Sequence, residues 1–446
     1  MRTRPRLLLL APLPLACLLA CEAARSPAPR ATRSSAPIAA AEDEATSTPD
    51  EPRAARTPPG SYDEALAQLD SALEYDLRVA ERTPKGWITL ERAAGRLLER
   101  AALTGSFDDY ARAEELIDRA FAIGRAGAGP FATRARLNFS LHRLPRVDPD
   151  LEAMSRRISQ DNHYKARLAG LRADVAFQRG QYADALAGYE EALALREDFT
   201  GIVRLAHYRW KTADFDGALA LYAKAEALLE DEPGRTLAWL HLQRGLMCLD
   251  RGRYDEAMTH YDASAAALPG YWLVDEHIAE ILTLQGKTDE ALARYRDIVE
   301  RTGNPEFMDA IAGILLERGE EREGQLMVAR ARAAYDAMLA RYPEAAYGHA
   351  LEHFLEFGSQ ERALTLAREN HALRPGADAK ILLAQALLGA GEVKEARARI
   401  DEALASPIRT ADLHRTAAAV ARAEGDETGA LAQEALARAI NPRALE

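Results

Sequence analysis

Side chains that could bind a metal ion are concentrated between residues 277 and 353 of this 446-residue chain. His349 and His353 are four residues apart, so in a helix both imidazoles would lie on one face and could chelate a single ion. His277 and Asp309 could complete its coordination, because imidazole nitrogens and carboxylate oxygens are common ligands of Zn²⁺ and related divalent ions. These four residues are the candidate metal ligands.

The same part of the chain is rich in carboxylates, which could bind a basic or amphipathic segment of a partner protein. Like charges gathered without neutralising partners oppose one another, so we expect these side chains to be partly exposed and to serve a cation or a cationic partner. The alternative is a solvated acidic groove with packed histidines. The candidate partner-binding residues are Glu276, Glu280, Glu306, Asp309, Glu352 and Glu356.

Motifs of enzyme active sites are absent from the sequence. Gly286-Lys287-Thr288 ends like a phosphate-binding loop, but Ile281 occupies the place of its first glycine. The glycine-rich segment 127–132 has no preceding strand that would make it a dinucleotide loop. Neither a nucleophile elbow nor a zinc-protease motif occurs. We therefore predict no catalytic residue and no enzymatic activity.

An internal repeat provides the elements that must position these side chains. A block such as Asp289-Glu-Ala-Leu, with a small third residue, recurs along the C-terminal two thirds of the chain. The spacings between the small residues run from 32 to 40 and centre near 34. These eight anchors are Ala185, Ala218, Ala257, Ala291, Ala331, Ala363, Ala396 and Ala430.

Three further position classes keep the same register. A glycine precedes six of the anchors by five residues, where a first helix must end and turn. A tyrosine follows five of them by four residues, on the same face of a second helix. A proline follows several of them by twelve residues and would end that helix. Each repeat is therefore predicted to be a pair of helices, A and B.

This pattern resembles the tetratricopeptide repeat (TPR) over residues 166–446, in eight repeats. The resemblance implies an all-α, right-handed superhelical solenoid of antiparallel helix pairs. It also implies that the A helices line a concave groove side by side, so that equivalent residues of successive repeats, such as Glu276 and Asp309, become neighbours. Glu280, Gly313 and Glu352 are likewise equivalent. Its implied function is a scaffold that binds protein or peptide partners in that groove.

The departures from the repeat predict local irregularities. Seven extra residues between Gly319 and Ala331 predict a longer helix B at 321–341. Extra residues also fall near 231–235. Residues 61–165 are predicted to hold an amphipathic capping helix at 61–80 and degenerate repeats.

The N-terminus has the pattern of an export signal. Arg2, Arg4 and Arg6 precede an apolar stretch from Leu7 to Ala20, which is too short for the roughly 20 residues of a membrane span. The stretch ends in Leu18-Leu19-Ala20-Cys21, which resembles the lipobox of bacterial lipoproteins. That resemblance implies removal of residues 1–20 and lipidation of Cys21. The alternatives are cleavage near Ala24 and an uncleaved anchor.

The remaining features agree with an exported protein. Glu22 follows the cysteine, and by resemblance to lipoprotein sorting the absence of Asp there implies the outer membrane, facing the periplasm. Residues 21–60 are poor in large apolar side chains and are predicted to be a disordered tether. Loss of the three signal arginines changes the formal charge from −12 to −15, which disfavours nucleic acid as a partner.

The sequence thus predicts a lipid-anchored periplasmic or outer-membrane TPR scaffold, attached to the membrane through its lipid alone. No cofactor is expected for that function. The alternative is a metal-binding periplasmic protein that holds Zn²⁺ or another divalent ion with the four candidate ligands on repeats four to six.

Overall fold

The computed structural model describes residues 59–125, 127–157, 160–229 and 234–446. These residues form 21 α-helices and no strand. The predicted signal, the lipobox and all but the last residues of the tether lie outside the described ranges, as does most of the expected insertion near 231–235.

The helices are numbered here in chain order. The first eleven are α1 (Tyr62–Arg82), α2 (Trp87–Thr104), α3 (Phe107–Ile123), α4 (Phe131–Ser140), α5 (Leu144–Ser155), α6 (Asn162–Gln178), α7 (Tyr182–Leu195), α8 (Phe199–Lys211), α9 (Phe215–Ala227), α10 (Arg235–Leu249) and α11 (Tyr254–Ala267). The last ten are α12 (Trp272–Leu284), α13 (Thr288–Thr302), α14 (Pro305–Glu317), α15 (Glu321–Arg341), α16 (Pro343–Phe357), α17 (Gln360–Leu373), α18 (Ala377–Gly389), α19 (Val393–Leu404), α20 (Ala411–Ala423) and α21 (Glu427–Ile440).

From α2 onward the helices pack in ten consecutive pairs, each joined by a short turn that makes the two helices antiparallel. Eight pairs, from α6/α7 to α20/α21, follow the eight repeats read from the sequence. Pairs α2/α3 and α4/α5 precede them, and α1 packs on α2. The predicted all-α solenoid of helix pairs is confirmed.

Packing within each pair depends on the small anchors. All eight anchor alanines are fully buried, and so are the five tyrosines that follow them by one helical turn: Tyr189, Tyr222, Tyr261, Tyr295 and Tyr335. A side chain no larger than a methyl group lets the A and B helices approach closely, and the tyrosine fills the adjoining space. The expected long helix is also present as α15, and the capping helix as α1.

The turns between A and B helices use the left-handed conformation that the glycines predicted. Gly180, Gly252 and Gly286 have φ between 68° and 75°. Ala213 takes the same conformation, with φ 64°, in the repeat that lacks this glycine. Gly358 differs from the expectation: its backbone is extended, with φ −128°. Glycine is still required there, because a Cβ atom would lie 2.4 Å from the Phe354 ring.

Successive turns of the superhelix touch each other, which the sequence pattern did not predict. Each contact joins residues far apart in the chain, and the partners advance together along it. We call this line of contacts the seam. Its members are Tyr62 N–H to Pro269 O (2.9 Å), Trp272 Nε1 to Leu103 O (3.0 Å), Arg374 Nη1 to His142 Nδ1 (3.1 Å), Ala377 N–H to Tyr182 Oη (2.7 Å), Arg409 N–H to Lys211 O (2.9 Å), and Arg443 over the Tyr254 ring (4.7 Å).

The seam has a regular construction. In most of its contacts, an A-to-B turn of the first superhelical turn meets the junction before an A helix of the second. Tyr182 and Ala377 are 195 residues apart, which is about six repeats at a period of about 34. Gly180 is held against Pro375, and a Cβ atom there would approach its carbonyl oxygen to 3.1 Å. The seam therefore holds the two superhelical turns together at a fixed spacing.

No helix in the described ranges is both long enough and apolar enough to cross a membrane.

The seam can be tested at Tyr182. Tyr182→Phe removes the only hydroxyl that accepts the buried Ala377 N–H, and an unsatisfied buried donor costs about 1–3 kcal/mol. We expect a lower unfolding midpoint in urea. Tyr75→Phe, at an exposed position on α1, is the control and is expected to change stability little. Equal midpoints for the two variants would show that the seam does not contribute to stability.

Candidate functional site

The candidate site is built on three neighbouring A helices: α12, α14 and α16. Its residues recur at matching positions: Glu276 and Asp309 each lie ten residues before a turn glycine, Gly286 and Gly319. Each A helix packs against helix B of the preceding repeat. The ionisable side chains therefore lie next to the tyrosines that follow the anchor alanines by one helical turn. The site occupies both the contact layer between helices and the surface of the groove.

Burial differs from the expectation of partial exposure. Glu276, Glu280 and Asp309 are at most 3% exposed, so the prediction was wrong for these three carboxylates. The reason is that they lie in the contact layer: His277, beside Glu276 and Glu280, stacks on Tyr261, and Asp309 lies beside Tyr335. The other three candidates, Glu306, Glu352 and Glu356, are half-buried.

On α12, Glu276, His277 and Glu280 form one group. His277 Nδ1 lies 3.0 Å from Glu276 Oε2 and 3.2 Å from Glu280 Oε2. Burial raises the pKa of Glu276 to about 7, against the opposing effect of His277. Burial would lower the pKa of His277, but the two carboxylates outweigh it and raise that pKa to about 10. The imidazole is therefore charged at neutral pH.

A second group joins α14 to α16. His353 Nδ1 lies 2.8 Å from Asp309 Oδ1, and both side chains are fully buried. The His353 ring packs against the rings of Tyr335 and Phe354, with centroids 5.2 and 5.0 Å away. Burial raises the pKa of Asp309, while the hydrogen bond from His353 opposes that rise. The pair is a packed, hydrogen-bonded unit with no access to solvent.

A third group lies beside the second and nearer the groove surface. His349 Nδ1 is 2.5 Å from Glu306 Oε1. On α16, Glu352 lies one helical turn after His349. Burial opposes protonation of His349, but Glu306 and Glu352 raise its pKa to about 9. Burial raises the pKa of Glu352 to about 8, and Glu306, Asp412 and Asp309 add to the rise.

The four candidate metal ligands do not meet at one point. Within the described ranges, the only group of three or more His, Cys, Asp or Glu residues close enough to hold an ion is Glu276–His277–Glu280. Glu306 and Asp309 are three residues apart on α14, and His349 and His353 are four apart on α16. The side chains therefore pair one to one at successive helical turns. This pairing separates His349 from His353 and both from His277.

The sequence analysis missed a buried ion pair at the same register in the first repeat. Arg204 lies 2.9 Å from Asp174, and both are at most 2% exposed. Asp174 precedes Gly180 by six residues, as Glu280 precedes Gly286, so the signal was present in the repeat alignment. Its arginine partner comes from the next A helix, α8. At this register a carboxylate is neutralised by arginine in one repeat and faces histidine in another.

Arg374 was also missed, because it follows helix α17 and lies outside every A helix. It is held between Asn370 Oδ1, 2.6 Å away, and His142 across the seam. Burial lowers the pKa of Arg374 to about 10, with Asp378 opposing the change. Burial, followed by the charge of Arg374, lowers the pKa of His142 well below its usual range. The seam thus meets the ionisable site at Arg374.

Comparison with known proteins identifies solenoids of low identity. No protein-family model and no curated protein matches the chain. The crystal structure of yeast Tom70 matches at 16% identity and a TM-score of 0.43, over 85% of this chain and 87% of that one. A tetratricopeptide repeat protein from Parabacteroides merdae matches at 15% identity and 0.34, over 54% and 93%. The human IFIT1 dimer with m7Gppp-AAAA matches at 12% and 0.41, over 84% and 95%.

The molecule's own repeat geometry defines its class. Helix pairs with a period near 34, alanine contacts within each pair and left-handed turns between the helices make it a TPR-like solenoid. Solenoids of this kind are typical of protein-interaction scaffolds, because stacking of the repeats creates an extended concave surface.

The raised pKa values of Glu352 and His349 predict that the contribution of these two groups to stability falls as the pH rises. The folded state holds a proton on Glu352 up to about pH 8 and on His349 up to about pH 9, whereas the ordinary values are 4.5 and 6.5. The folded state therefore binds more protons than the unfolded state between these limits, and the free energy of unfolding decreases with pH.

Glu352→Gln should reduce this decrease by on the order of 1–2 kcal/mol between pH 6 and pH 8. The measurement is urea unfolding at a series of pH values. Glu290→Gln, at an exposed carboxylate on α13, is the control and should keep the wild-type slope. Equal slopes for Glu352→Gln and the wild type would contradict the protonation state assigned to Glu352.

Proposed function

We propose that this protein is an exported, lipid-anchored scaffold whose concave groove binds a basic or amphipathic segment of a partner protein. The observation that carries the proposal is the acidity of the groove at Glu352. No lysine or arginine in the described ranges forms an ion pair with it, and although His349 lowers its pKa, burial together with Glu306, Asp412 and Asp309 raises that pKa to about 8. A partner's cation would supply the missing charge.

The outer surface provides the contrast. There, carboxylates are paired with arginines, as in Glu323 with Arg296, or Asp336 with Arg362. Exposed pairs of this kind contribute little to stability but do neutralise the surface. The half-buried groove carboxylates, Glu306, Glu352 and Glu356, are more strongly desolvated, so a cation placed beside them would interact more strongly than on the outer face.

The seam supports binding by a preformed groove. Contacts between successive turns, such as Ala377 N–H to Tyr182 Oη, hold the spacing of the A helices without a ligand. A groove that is already in its binding shape loses little conformational entropy when a partner enters. An extended or helical segment could then contact several A helices at once, as in other grooves that recognise helices.

A binding role is favoured over a catalytic one by the burial of the ionisable groups. The Asp309–His353 pair resembles part of a catalytic arrangement, but both residues are fully buried and their neighbours are aromatic rings. A general base must reach the proton that it abstracts from a substrate. The net charge of −12 likewise favours a cationic protein segment over nucleic acid.

The proposed anchor is Cys21, with the outer membrane facing the periplasm as the proposed location. Several acyl chains on one cysteine would hold the protein to the membrane, and residues 22–60 would separate the solenoid from it. The acidic solenoid itself would be repelled by anionic headgroups.

Cys21→Ala tests the anchor. We expect the wild-type protein to sediment with membranes after cell disruption and to partition into detergent, and the variant to be released as a periplasmic protein. Cys17→Ala is the matched control, since it changes a cysteine inside the proposed signal and should leave fractionation unchanged. Mass spectrometry that finds an unmodified mature N-terminus on the wild-type protein would exclude lipidation.

Glu352→Gln tests the groove. The probes are an amphipathic helical peptide whose polar face carries lysine and arginine, and a matched peptide with glutamate in their place, measured by fluorescence anisotropy. We expect only the basic peptide to bind. Its affinity should rise between pH 6.5 and pH 8.5, as Glu352 loses its proton, and should fall about tenfold in the variant, which corresponds to 1.4 kcal/mol.

Glu290→Gln, on the outer face, should bind the basic peptide as the wild type does. Salt should weaken this association, because screening acts over roughly 8–10 Å. Equal binding of both peptides, or an affinity that is the same in Glu352→Gln and wild type, would argue against an electrostatic groove.

A further inference from the structure

The group on α12 differs from the other ionisable pairs in its composition. Glu276, His277 and Glu280 place two carboxylates and one imidazole together, and one ligand atom from each lies within 4.8 Å of the others. All three side chains are at most 4% exposed. The Asp309–His353 and Glu306–His349 pairs instead match one carboxylate with one imidazole.

The one imidazole of this group cannot neutralise both of its carboxylates. A protonated His277 neutralises one carboxylate, and Arg204, which neutralises Asp174 at the matching register, has no counterpart on α12 or α14. Removing an uncompensated carboxylate from water is costly, so the second carboxylate needs either a proton or another cation. A divalent ion would neutralise both.

Two further observations point to a ligand at this position. Glu276 is fully buried, yet its Oε1 has no hydrogen-bond partner, and its Oε2 has only the contact with His277 Nδ1 at 3.0 Å, which lacks the geometry of a hydrogen bond. The hydroxyl of Tyr261 is also buried without a hydrogen-bond partner, and its ring stacks on His277 with centroids 5.6 Å apart. After burial, Glu280 and Glu276 have the largest effects on this hydroxyl and raise its pKa. Two oxygen atoms without a polar partner, Glu276 Oε1 and the Tyr261 hydroxyl, thus belong to residues in contact with His277.

We propose that Glu276, His277 and Glu280 bind one divalent transition-metal ion, with the oxygen of the Tyr261 hydroxyl as the fourth ligand. Two carboxylates and one imidazole are a ligand set of Zn²⁺, Mn²⁺ and Fe²⁺, whereas Ca²⁺ and Mg²⁺ prefer oxygen alone. Because the ion would join residues of α11 and α12, it would tie helix B of one repeat to helix A of the next. The inference is independent of the lipid anchor and of any partner.

The test uses full-length protein that has been stripped with EDTA and then given Zn²⁺ or Co²⁺. We expect one Zn²⁺ per chain to remain after gel filtration, as measured by inductively coupled plasma mass spectrometry. Bound Co²⁺ should show the visible absorption of an ion with only four ligands. Mg²⁺ at the same concentration should not displace either ion. Affinities would be measured by competition with a chromophoric chelator.

Variants then locate the site. Glu276→Gln and Glu280→Gln should weaken Zn²⁺ binding about tenfold or more, since changes even to residues that only support metal ligands cost that much. Tyr261→Phe, which removes one hydroxyl and keeps the stacked ring, should weaken binding less and alter the Co²⁺ spectrum. If circular dichroism shows that a glutamine variant does not fold, Tyr261→Phe still tests the site. Asp309→Asn and Glu290→Gln should bind as the wild type does.

The proposal is overturned if Zn²⁺ and Co²⁺ are not retained, because the buried charge would then be carried by protons alone. It is also overturned if wild type and Glu280→Gln have the same affinity, or if Asp309→Asn loses the ion and Glu280→Gln keeps it.

Discussion

The close approach of two helices at a buried alanine is the contact on which the whole solenoid depends. At each anchor, such as Ala257, a methyl group lets helix B lie against helix A, and one turn later a tyrosine such as Tyr261 fills the remaining space. The tyrosine reaches the next A helix, where it meets His277. One packing rule therefore sets the distance within a pair and supplies the surroundings of the ionisable residues on the following repeat.

Repetition of this contact gives the chain a steady curvature, and the seam makes use of it. Because each repeat is rotated by a similar amount, residues about six repeats apart return to the same side of the superhelix. There they form specific contacts, including the hydrogen bond from Trp272 Nε1 to Leu103 O. In a solenoid with neighbour contacts only, stability is local. Here the first five helices are also held across the seam by Pro269, Trp272 and Arg374.

The ionisable residues lie where the helix packing and the seam leave room for polar side chains. Asp174 forms an ion pair with Arg204 in the first repeats, and Asp309 forms one with His353 in the fifth and sixth. Acidity accumulates where such pairing is incomplete, at Glu276 with Glu280 and at Glu352. The raised pKa values of Glu276 and Glu352 have a common cause, which is burial reinforced by neighbouring carboxylates. The buried position of Glu276 and Glu280 favours a small cation. The half-exposed position of Glu352 favours a cationic side chain of a partner protein.

The helix pairs could be predicted from the sequence because their cause is local and repeated. The spacing of the alanines, the tyrosine one turn later and the turn glycine before each anchor all act within one repeat, so the register, the long helix α15 and the capping helix α1 were correctly predicted. The same alignment correctly made Glu276 and Asp309 equivalent. The N-terminal signal and lipobox remain predictions from sequence, since they lie outside the described residues.

Tertiary structure alone decided which of these side chains meet, and how deeply they are buried. Whether His349 faces Glu306, and His353 faces Asp309, depends on the height of one helix relative to another, and a shift of one turn would pair them differently. Burial of Glu280 depends on the tyrosine of the preceding repeat. The seam depends on the small rotation between repeats, summed over about six of them, which no single repeat encodes in its residue spacing.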